Sequence, residues 1–135
     1  MFVDASAIIA ILTEEPGADD LADLLDTAAA PITSPLAIFE AVLGVCRKRG
    51  TTVEKAETEV HAFLRVENIA IIAISAQDGA AALAAHARYG KGRKHPARLN
   101  LGDCFAYAMA KNHRTPLLFK GDDFSKTDIR RAVRS

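Results

Sequence analysis

Residues 1–12 read MFVDASAIIAIL, and this stretch sets a pattern that the rest of the chain repeats. Phe2-Val3 begins a short apolar strand that ends at an acid, Asp4. The apolar run over 7–12 predicts a buried helix of one or two turns. A strand that passes at once into a helix is typical of the first half of a β–α unit.

Strand and helix signals then alternate along the chain. Pro16-Gly17 separates the first helix from an acidic helix with leucines on one face. Ser34-Pro35 supplies a capping hydroxyl and a proline at the first helical position for a helix that stops near Arg49-Gly50. Further helices are predicted over 80–88 and 101–111, and further strands over 31–33 and 115–119.

The middle of the chain carries two more expectations. Thr51-x-x-Glu54 is a capping-box signature. The inward residues predicted for the helix that it begins are Val53, Val60, Phe63 and Leu64. The segment IAIIAI over 69–74 lacks polar alternation, which is typical of a central strand covered on both faces.

Short apolar strands that alternate with helices predict an α/β fold, with a parallel sheet and helices on both of its faces. A length of 135 residues favours a single domain, residues 1–135. In such sheets the functional crevice lies beyond the carboxyl ends of the strands, where the strand order reverses.

The composition excludes several classes of protein. Half of the residues are hydrophobic, so the chain can build a core without a disulfide or a structural metal. Cys46 and Cys104 lack metal-ligand spacing and are expected to be buried, reduced thiols in the cytoplasm. No apolar run reaches the length of a membrane span, so no membrane partner is expected.

The balance of 17 basic and 17 acidic residues conceals a strong asymmetry along the chain. Residues 14–26 carry six acids and no base, whereas residues 86–114 carry seven bases and one acid, Asp103. A further basic run covers 126–134. Two solvated faces of opposite sign would explain this pattern, and so would a basic surface that attracts a polyanion.

Four acidic residues occur at sequence positions where a buried apolar residue would be expected. Asp4 ends the first strand and Asp122 follows the last. Asp103 lies in the first turn of a helix, among basic neighbours, and Glu40 lies within the apolar segment LAIFEAVLGV. Each acid taken singly can be explained as a turn, a cap or an outward-facing residue. Together they predict convergence on one pocket.

Clustered carboxylates in a cleft require cations to remain ionised together. Oxygen ligands without a His or Cys pattern select hard ions, Mg²⁺ or Mn²⁺. Such ions activate water and hold the oxygens of an in-line phosphoryl displacement. A basic stretch beside them would guide a nucleic acid, so the residues point to a metal-dependent nuclease.

Four segments, in order and at matching separations, resemble the PIN-domain ribonucleases and, more narrowly, the VapC toxins of VapBC toxin–antitoxin pairs. These segments are MFVDASAIIAIL, SPLAIFEAVLGV, LNLGDCFAYAMAK and TPLLFKGDDFSKTDI. The resemblance implies a three-layer PIN-like fold with about five parallel strands. It also implies a Mg²⁺-dependent endoribonuclease, with Mn²⁺ able to substitute.

Carried over by position, the resemblance assigns the catalytic and metal-binding acids to Asp4, Glu40, Asp103 and Asp122, with Asp123 possible in place of Asp122. Ser6 matches a hydroxyl that supports the first acid, although it would also serve as a plain helix N-cap. The loop over 89–98, the basic loop, is rich in positive charge. This predicts that its residues Lys91, Arg93, Lys94 and Arg98 bind RNA phosphates.

The family also implies partners: an RNA substrate, a cognate VapB-type antitoxin, a second copy in a homodimer, and a higher assembly with the antitoxin.

The alternative to a ribonuclease is a catalytically inactive PIN-like module that binds RNA or protein. A haloacid-dehalogenase-like phosphatase would need an Asp at position 6, which is Ser, and a receiver domain would need its acidic pair after the first strand.

Overall fold

The computed structural model describes residues 1–133, in which each strand is short and most of the chain is helical. The elements in chain order are β1 (Phe2–Val3), α1 (Ala5–Leu12), α2 (Ala18–Asp26), β2 (Ile32–Thr33), α3 (Pro35–Arg49), α4 (Val53–Val66), β3 (Ala70–Ile71), α5 (Ala76–Tyr89), α6 (Leu101–Asn112) and β4 (Leu117–Leu118).

The sheet confirms the predicted fold class. Its strand order is β3-β2-β1-β4, and every pairing is parallel. Within the described residues it has four strands, and Arg131 adds a single parallel bridge to Leu117 beyond β4. The chain builds outward from β1 to β3 and then returns to pair β4 with the other side of β1. The order therefore reverses between β1 and β4, where α/β sheets bind their ligands.

Alternation along the strands divides the core into two layers. Val3 and Leu118 pack with α1 to α4 on one face, whereas Phe2, Leu117 and Phe119 pack with α5 and α6 on the other. Successive strand residues point to opposite faces of a sheet, so each central strand serves both layers. This is the three-layer arrangement that the sequence predicted.

Helix starts follow the capping chemistry of the sequence, with one correction. Ser34 accepts the Ala37 backbone N–H and caps α3 as predicted. The predicted capping box at Thr51 and Glu54 is wrong, because Thr52 is the N-cap of α4 and its hydroxyl accepts the Lys55 N–H at 3.2 Å.

Burial in α4 differs from the prediction at its first turn. Val60 and Leu64 are buried and Phe63 is half-buried, but Val53 is 46% exposed. Val53 is the first residue of the helix, where the chain has only just entered α4. The later turns of α4 therefore supply its core contacts.

The prediction of a central strand over 69–74 is wrong. Only Ala70–Ile71 pair, they lie at the edge of the sheet beside β2, and both are exposed. The apolar run is divided between the two layers of the core. Ile69 is buried in the layer formed with α1 to α4, while Ile72 and Ile74 are partly buried against the layer formed with α5 and α6. An unbroken apolar run does not distinguish a central strand from an edge segment that passes between two layers.

Two further expectations concern thiols and membranes. Both cysteines are free; Cys104 is buried, but Cys46 is only half-buried and its thiol donates to the Thr51 carbonyl at 3.0 Å, which corrects the expectation of full burial. Across residues 1–133, no helix is both long and apolar enough to cross a membrane.

Candidate active site

The candidate site begins with Asp4, at the carboxyl end of β1. Asp4 is the N-cap of α1, and its Oδ2 accepts hydrogen bonds from the Ser6 backbone N–H at 3.0 Å and the Ser6 hydroxyl at 2.5 Å. Its own backbone N–H donates to the Leu118 carbonyl at 3.0 Å. The residue is therefore held between the two strands at which the sheet order reverses.

Ser6 connects these two strand ends. Its hydroxyl donates to Asp4, and its Oγ accepts the backbone N–H of Lys120 at 3.0 Å. Asp4, and not Ser6, caps α1, so the reading of Ser6 as a plain N-cap is wrong. The hydroxyl instead fixes the orientation of the Asp4 carboxylate relative to the segment after β4.

Asp103 is held by the start of α6. Its carboxylate accepts the Asn100 backbone N–H at 3.1 Å, and the Asn100 side chain accepts the Asp103 N–H at 2.9 Å, which completes a capping box. Burial raises the pKa of Asp103 to about 7; the Asn100 hydrogen bond opposes this rise, and the charges of Asp4, Asp123 and Glu40 add to it.

Glu40 approaches the same region from α3. It is half-buried, and burial together with the charge of Asp4 raises its pKa to about 7. Its carboxylate lies against Gly102 in the first turn of α6, where a Cβ would overlap all three carboxylate atoms. The present position of the Glu40 carboxylate therefore depends on a residue without a side chain at position 102.

Asp122 and Asp123 are the two candidates for the fourth acid, and they differ in their electrostatic effect on the other acids. Burial raises the pKa of Asp4, its hydrogen bonds with Ser6 oppose this, and the charge of Asp123 raises it further. Asp123, rather than its neighbour Asp122, also acts on Asp103. Asp122 and Asp123 both line one cavity with Asp103. The structure thus brings together Asp4, Glu40, Asp103 and Asp123, with Asp122 on the same cavity wall.

This acidic cavity, of about 430 Å³, also contains positive charge. Two of the four predicted RNA-binding bases, Lys91 and Arg98, line it. The other two, Arg93 and Lys94, line a different pocket beside Arg88 and His95. Lys126 lines the acidic cavity as well and was not among the predicted RNA-binding residues, although it begins the third basic run of the sequence.

The donor set suits a hard divalent cation in its chemistry. The four coupled side chains offer only carboxylate oxygens, which are the ligands that Mg²⁺ and Mn²⁺ take in proteins. The raised pKa values of Asp4, Glu40 and Asp103 show that these acids resist ionisation together, which a bound cation would relieve. In the part of the chain that the structure describes, no three His, Cys, Asp or Glu side chains already converge as ligands of one ion.

Two comparisons of sequence match nearly the whole chain. The PIN domain family model matches residues 1–130. The chain is 43% identical to VapC ribonuclease R02377 of Rhizobium meliloti, over 95% of this chain and 98% of that protein. It is 40% identical to Ribonuclease VapC of Mycolicibacterium smegmatis, over 96% of this chain and 97% of that protein.

Solved structures show the same fold. The crystal structure of Mycobacterium tuberculosis VapC20, described as a sarcin–ricin loop cleaving toxin, matches with a TM-score of 0.75 and 16% identity, over 99% of this chain and 98% of that one. A toxin–antitoxin complex from Klebsiella pneumoniae matches with a TM-score of 0.69 and 20% identity, over 94% and 92% of the two chains. The chain therefore belongs to the PIN-domain family and, within it, to the VapC ribonucleases.

Proposed function

We propose that this protein is the toxin of a toxin–antitoxin pair and acts as a Mg²⁺-dependent endoribonuclease, with Mn²⁺ able to substitute. The observation that carries the proposal is the placement of four carboxylates where the strand order reverses. Asp4 ends β1, Glu40 lies against the first turn of α6, and Asp103 and Asp123 line one cavity. Full-length similarity to proteins named VapC ribonucleases supports the same reaction class. Residues 1–135 would act as one domain in the cytoplasm.

In this proposal the carboxylates hold the cation, and Asp122 is the alternative to Asp123 as fourth ligand. A bound divalent ion would lower the pKa of water and stabilise charge on the phosphate. Ser6 fixes the Asp4 carboxylate, and the Asn100 capping box fixes that of Asp103. Both acids thus have their orientation set before substrate arrives, which reduces the reorganisation needed in the transition state.

The substrate in this proposal is RNA. The sequence predicts that Lys91, Arg93, Lys94 and Arg98 bind its phosphates, and of these Lys91 and Arg98 line the acidic cavity. All four side chains are exposed. Each lysine or arginine that neutralises a phosphate contributes to affinity by releasing a counterion, whatever the base sequence. Positive charge beside the carboxylates also offsets their repulsion of a phosphodiester.

Two protein partners belong to the proposal. A cognate VapB-type antitoxin is supported by the toxin–antitoxin complex that shares this fold. We also propose a homodimer through the α5–α6 groove, an apolar groove of about 700 Å³ that includes Leu83, Leu101 and Phe105. Leu83 is 74% exposed and Leu101 66%, so the groove presents apolar surface that a second copy would cover. Antitoxin binding would then build a higher assembly.

Cleavage of total RNA by the antitoxin-free protein tests the central proposal. We expect discrete fragments in Mg²⁺ or Mn²⁺ that disappear in EDTA and in Asp4→Asn and Asp103→Asn. Glu54→Gln removes an exposed carboxylate on α4 and should cleave like the wild type. Cleavage that survives EDTA or either site substitution would contradict the metal site. Absence of both cleavage and Mn²⁺-dependent stabilisation would instead indicate an inactive binding module.

A further inference from the structure

The basic residues of the loop between α5 and α6 line two different pockets. Lys91 and Arg98 line the acidic cavity together with Lys126, which comes from the segment after β4. Arg93 and Lys94 line a separate pocket of about 530 Å³ with Arg88 and His95, and that pocket contains no carboxylate. The loop therefore does not present one continuous basic patch.

Backbone contacts hold the cavity-facing residues of the loop in place. The Lys91 N–H donates to the Leu99 carbonyl and the Leu99 N–H to the Tyr89 carbonyl, each at 2.8 Å, so the two ends of the loop are joined. Leu99 is fully buried and anchors this junction. Lys91 and Arg98 thus project from a fixed base, although most of the loop between them is exposed.

Arg98 adopts a backbone conformation that arginine rarely takes. Its φ is 55°, in the left-handed region that favours glycine and asparagine. The flanking residues Ala97 and Leu99 are both buried, which holds the chain in this conformation. Here the conformation accompanies the placement of Arg98 in the lining of the acidic cavity.

Lys126 lines the same cavity from an anchored turn after β4. Phe124, two residues earlier, is buried and packs edge-on against Phe119, with ring centroids 5.0 Å apart. The Thr127 hydroxyl donates to the Phe124 carbonyl at 2.8 Å and closes the turn. Lys91, Arg98 and Lys126 make no ion pair with any acid in the described residues 1–133, so their charge is available to a ligand.

We propose that Lys91, Arg98 and Lys126, the cavity cations, bind phosphates of the RNA chain on either side of the bond to be cut, and that Arg93 and Lys94 do not take part. This inference rests on the proposed function and adds Lys126 as a substrate-positioning residue. A phosphodiester that enters the acidic cavity meets at least three carboxylates, so it needs positive charge within the cavity itself. Among the basic residues within 1–133, the cavity cations are the ones that line this cavity.

Salt-dependent RNA binding in EDTA tests the division of the basic residues. The cavity variant combines Lys91→Ala, Arg98→Asn and Lys126→Ala, because asparagine tolerates the left-handed backbone at position 98. The control variant combines Arg93→Ala, Lys94→Ala and Lys55→Ala, and removes the same charge from elsewhere on the exposed surface. The probe is a fluorescein-labelled single-stranded RNA of mixed sequence, and thermal melting checks that both variants fold.

Three lost phosphate contacts should flatten the plot of log affinity against log salt by about 2, since each contact with single-stranded nucleic acid contributes about 0.7. The control should keep the wild-type slope. In Mn²⁺ the cavity variant should also lose at least tenfold in kcat/KM. Lys126→Arg should retain most of the activity because it keeps the charge.

The outcomes separate this inference from the proposed function. An unchanged slope in the cavity variant, or an equal change in the control, would overturn the inference even if the wild type cleaves RNA in a metal-dependent way. A selective loss of slope in a protein that does not cleave would support the cavity cations and contradict the nuclease. If the wild type shows no salt-dependent binding to the RNA, the inference is wrong.

Discussion

The carboxylate of Glu40 occupies the space that a side chain at Gly102 would take. Gly102 lies in the first turn of α6, and Glu40 reaches it from the middle of α3. Glycine is normally unfavourable inside a helix by about 1 kcal/mol relative to alanine. The carboxylate fills the space that a Cβ at position 102 would need, so any larger residue there would force the Glu40 carboxylate to shift.

Gly102→Ala should therefore weaken the site without unfolding the protein. We expect at least a tenfold loss of Mn²⁺ affinity and of cleavage, because the Glu40 carboxylate must move. Calorimetric titration with Mn²⁺ measures the metal affinity, and an RNA cleavage assay measures the activity. Gly79→Ala is the matched control, since a Cβ at this α5 position meets nothing within 4 Å. It should keep Mn²⁺ affinity; equal losses in both variants would exclude a specific role for Gly102.

Glu40→Gln should stabilise the metal-free protein at high pH. Burial raises the pKa of Glu40 to about 7, so the protonated acid contributes stability below its ordinary pKa, and this is lost as pH rises through 7. With allowance for partial exposure, we expect the variant to gain about 1 kcal/mol at about pH 8 and nothing at about pH 4. Urea unfolding in EDTA at both pH values measures this. A gain that does not depend on pH would contradict it.

Asp123→Asn should impair cleavage more than Asp122→Asn. The charge of Asp123 acts on both Asp4 and Asp103, which places it with the other acids. We expect about a hundredfold loss or more for Asp123→Asn and less than tenfold for Asp122→Asn, in line with the loss of one metal-supporting group against a peripheral one. Initial cleavage rates at saturating Mn²⁺ compare the two variants directly. The reverse order would assign the fourth ligand to Asp122.

Asp78→Ala should destabilise the packing of α5 on α6. Asp78 is buried, accepts the Ser75 backbone N–H at 2.9 Å and accepts the Asn112 side-chain amide at 2.8 Å. Its loss removes a capping box and the hydrogen bond from the Asn112 amide. Both donors belong to exposed residues that water can reach, so we expect a cost of about 1 kcal/mol at neutral pH. Denaturant unfolding measures it, and Asp78→Asn, which keeps an acceptor, should cost less.

The pH dependence of this effect has a definite sign. Burial would raise the pKa of Asp78, but its hydrogen bonds with Ser75 and Asn112 outweigh burial and lower it. A group with a lowered pKa stabilises the fold above its ordinary pKa, and this contribution is lost as pH falls through the lowered value. The difference between wild type and Asp78→Ala should therefore diminish in acid. A difference that grows in acid would contradict the assignment.

Leu83→Glu should dissociate the proposed homodimer. Leu83 lies in the α5–α6 groove with 74% of its surface exposed, and a charge there would have to be buried in a dimer. Light scattering across a concentration series should show a wild-type dimer and at least a tenfold weaker dimer for the variant. Val66→Glu is the control, because Val66 is 77% exposed at the end of α4, outside this groove. A wild-type monomer would contradict the proposal.

The errors in the sequence-based predictions lie where burial depends on neighbours that are distant in the chain. The run 69–74 has the apolar character of a central strand, yet β3 pairs only with β2 and stays exposed. Val53 has the right residue type for a core position, but it lies at the very start of α4. The local sequence pattern shows which residues are hydrophobic, whereas the burial of a residue depends on which distant elements pack against it.

The basic loop shows the same separation between composition and placement. Lys91, Arg93, Lys94 and Arg98 form one basic stretch in the sequence. The chain between Tyr89 and Leu99 closes on itself and divides them between two pockets, while Lys126 joins Lys91 and Arg98 from a distant segment. Charge counting along the chain could not predict this division, because it depends on a loop closure and on the turn after β4.

The sequence by itself determined the parallel α/β fold, because apolar strands and capped amphipathic helices alternate along the chain, and each such signal is local. It also determined which acids are exceptional, since Asp4, Glu40 and Asp103 interrupt apolar or basic surroundings. Only the tertiary structure decided that the charge of Asp123 acts on Asp4 and Asp103 and that Glu40 rests against Gly102. Those relationships depend on the side-chain directions of residues far apart in sequence, which follow from how α3, α6 and the segment after β4 pack together.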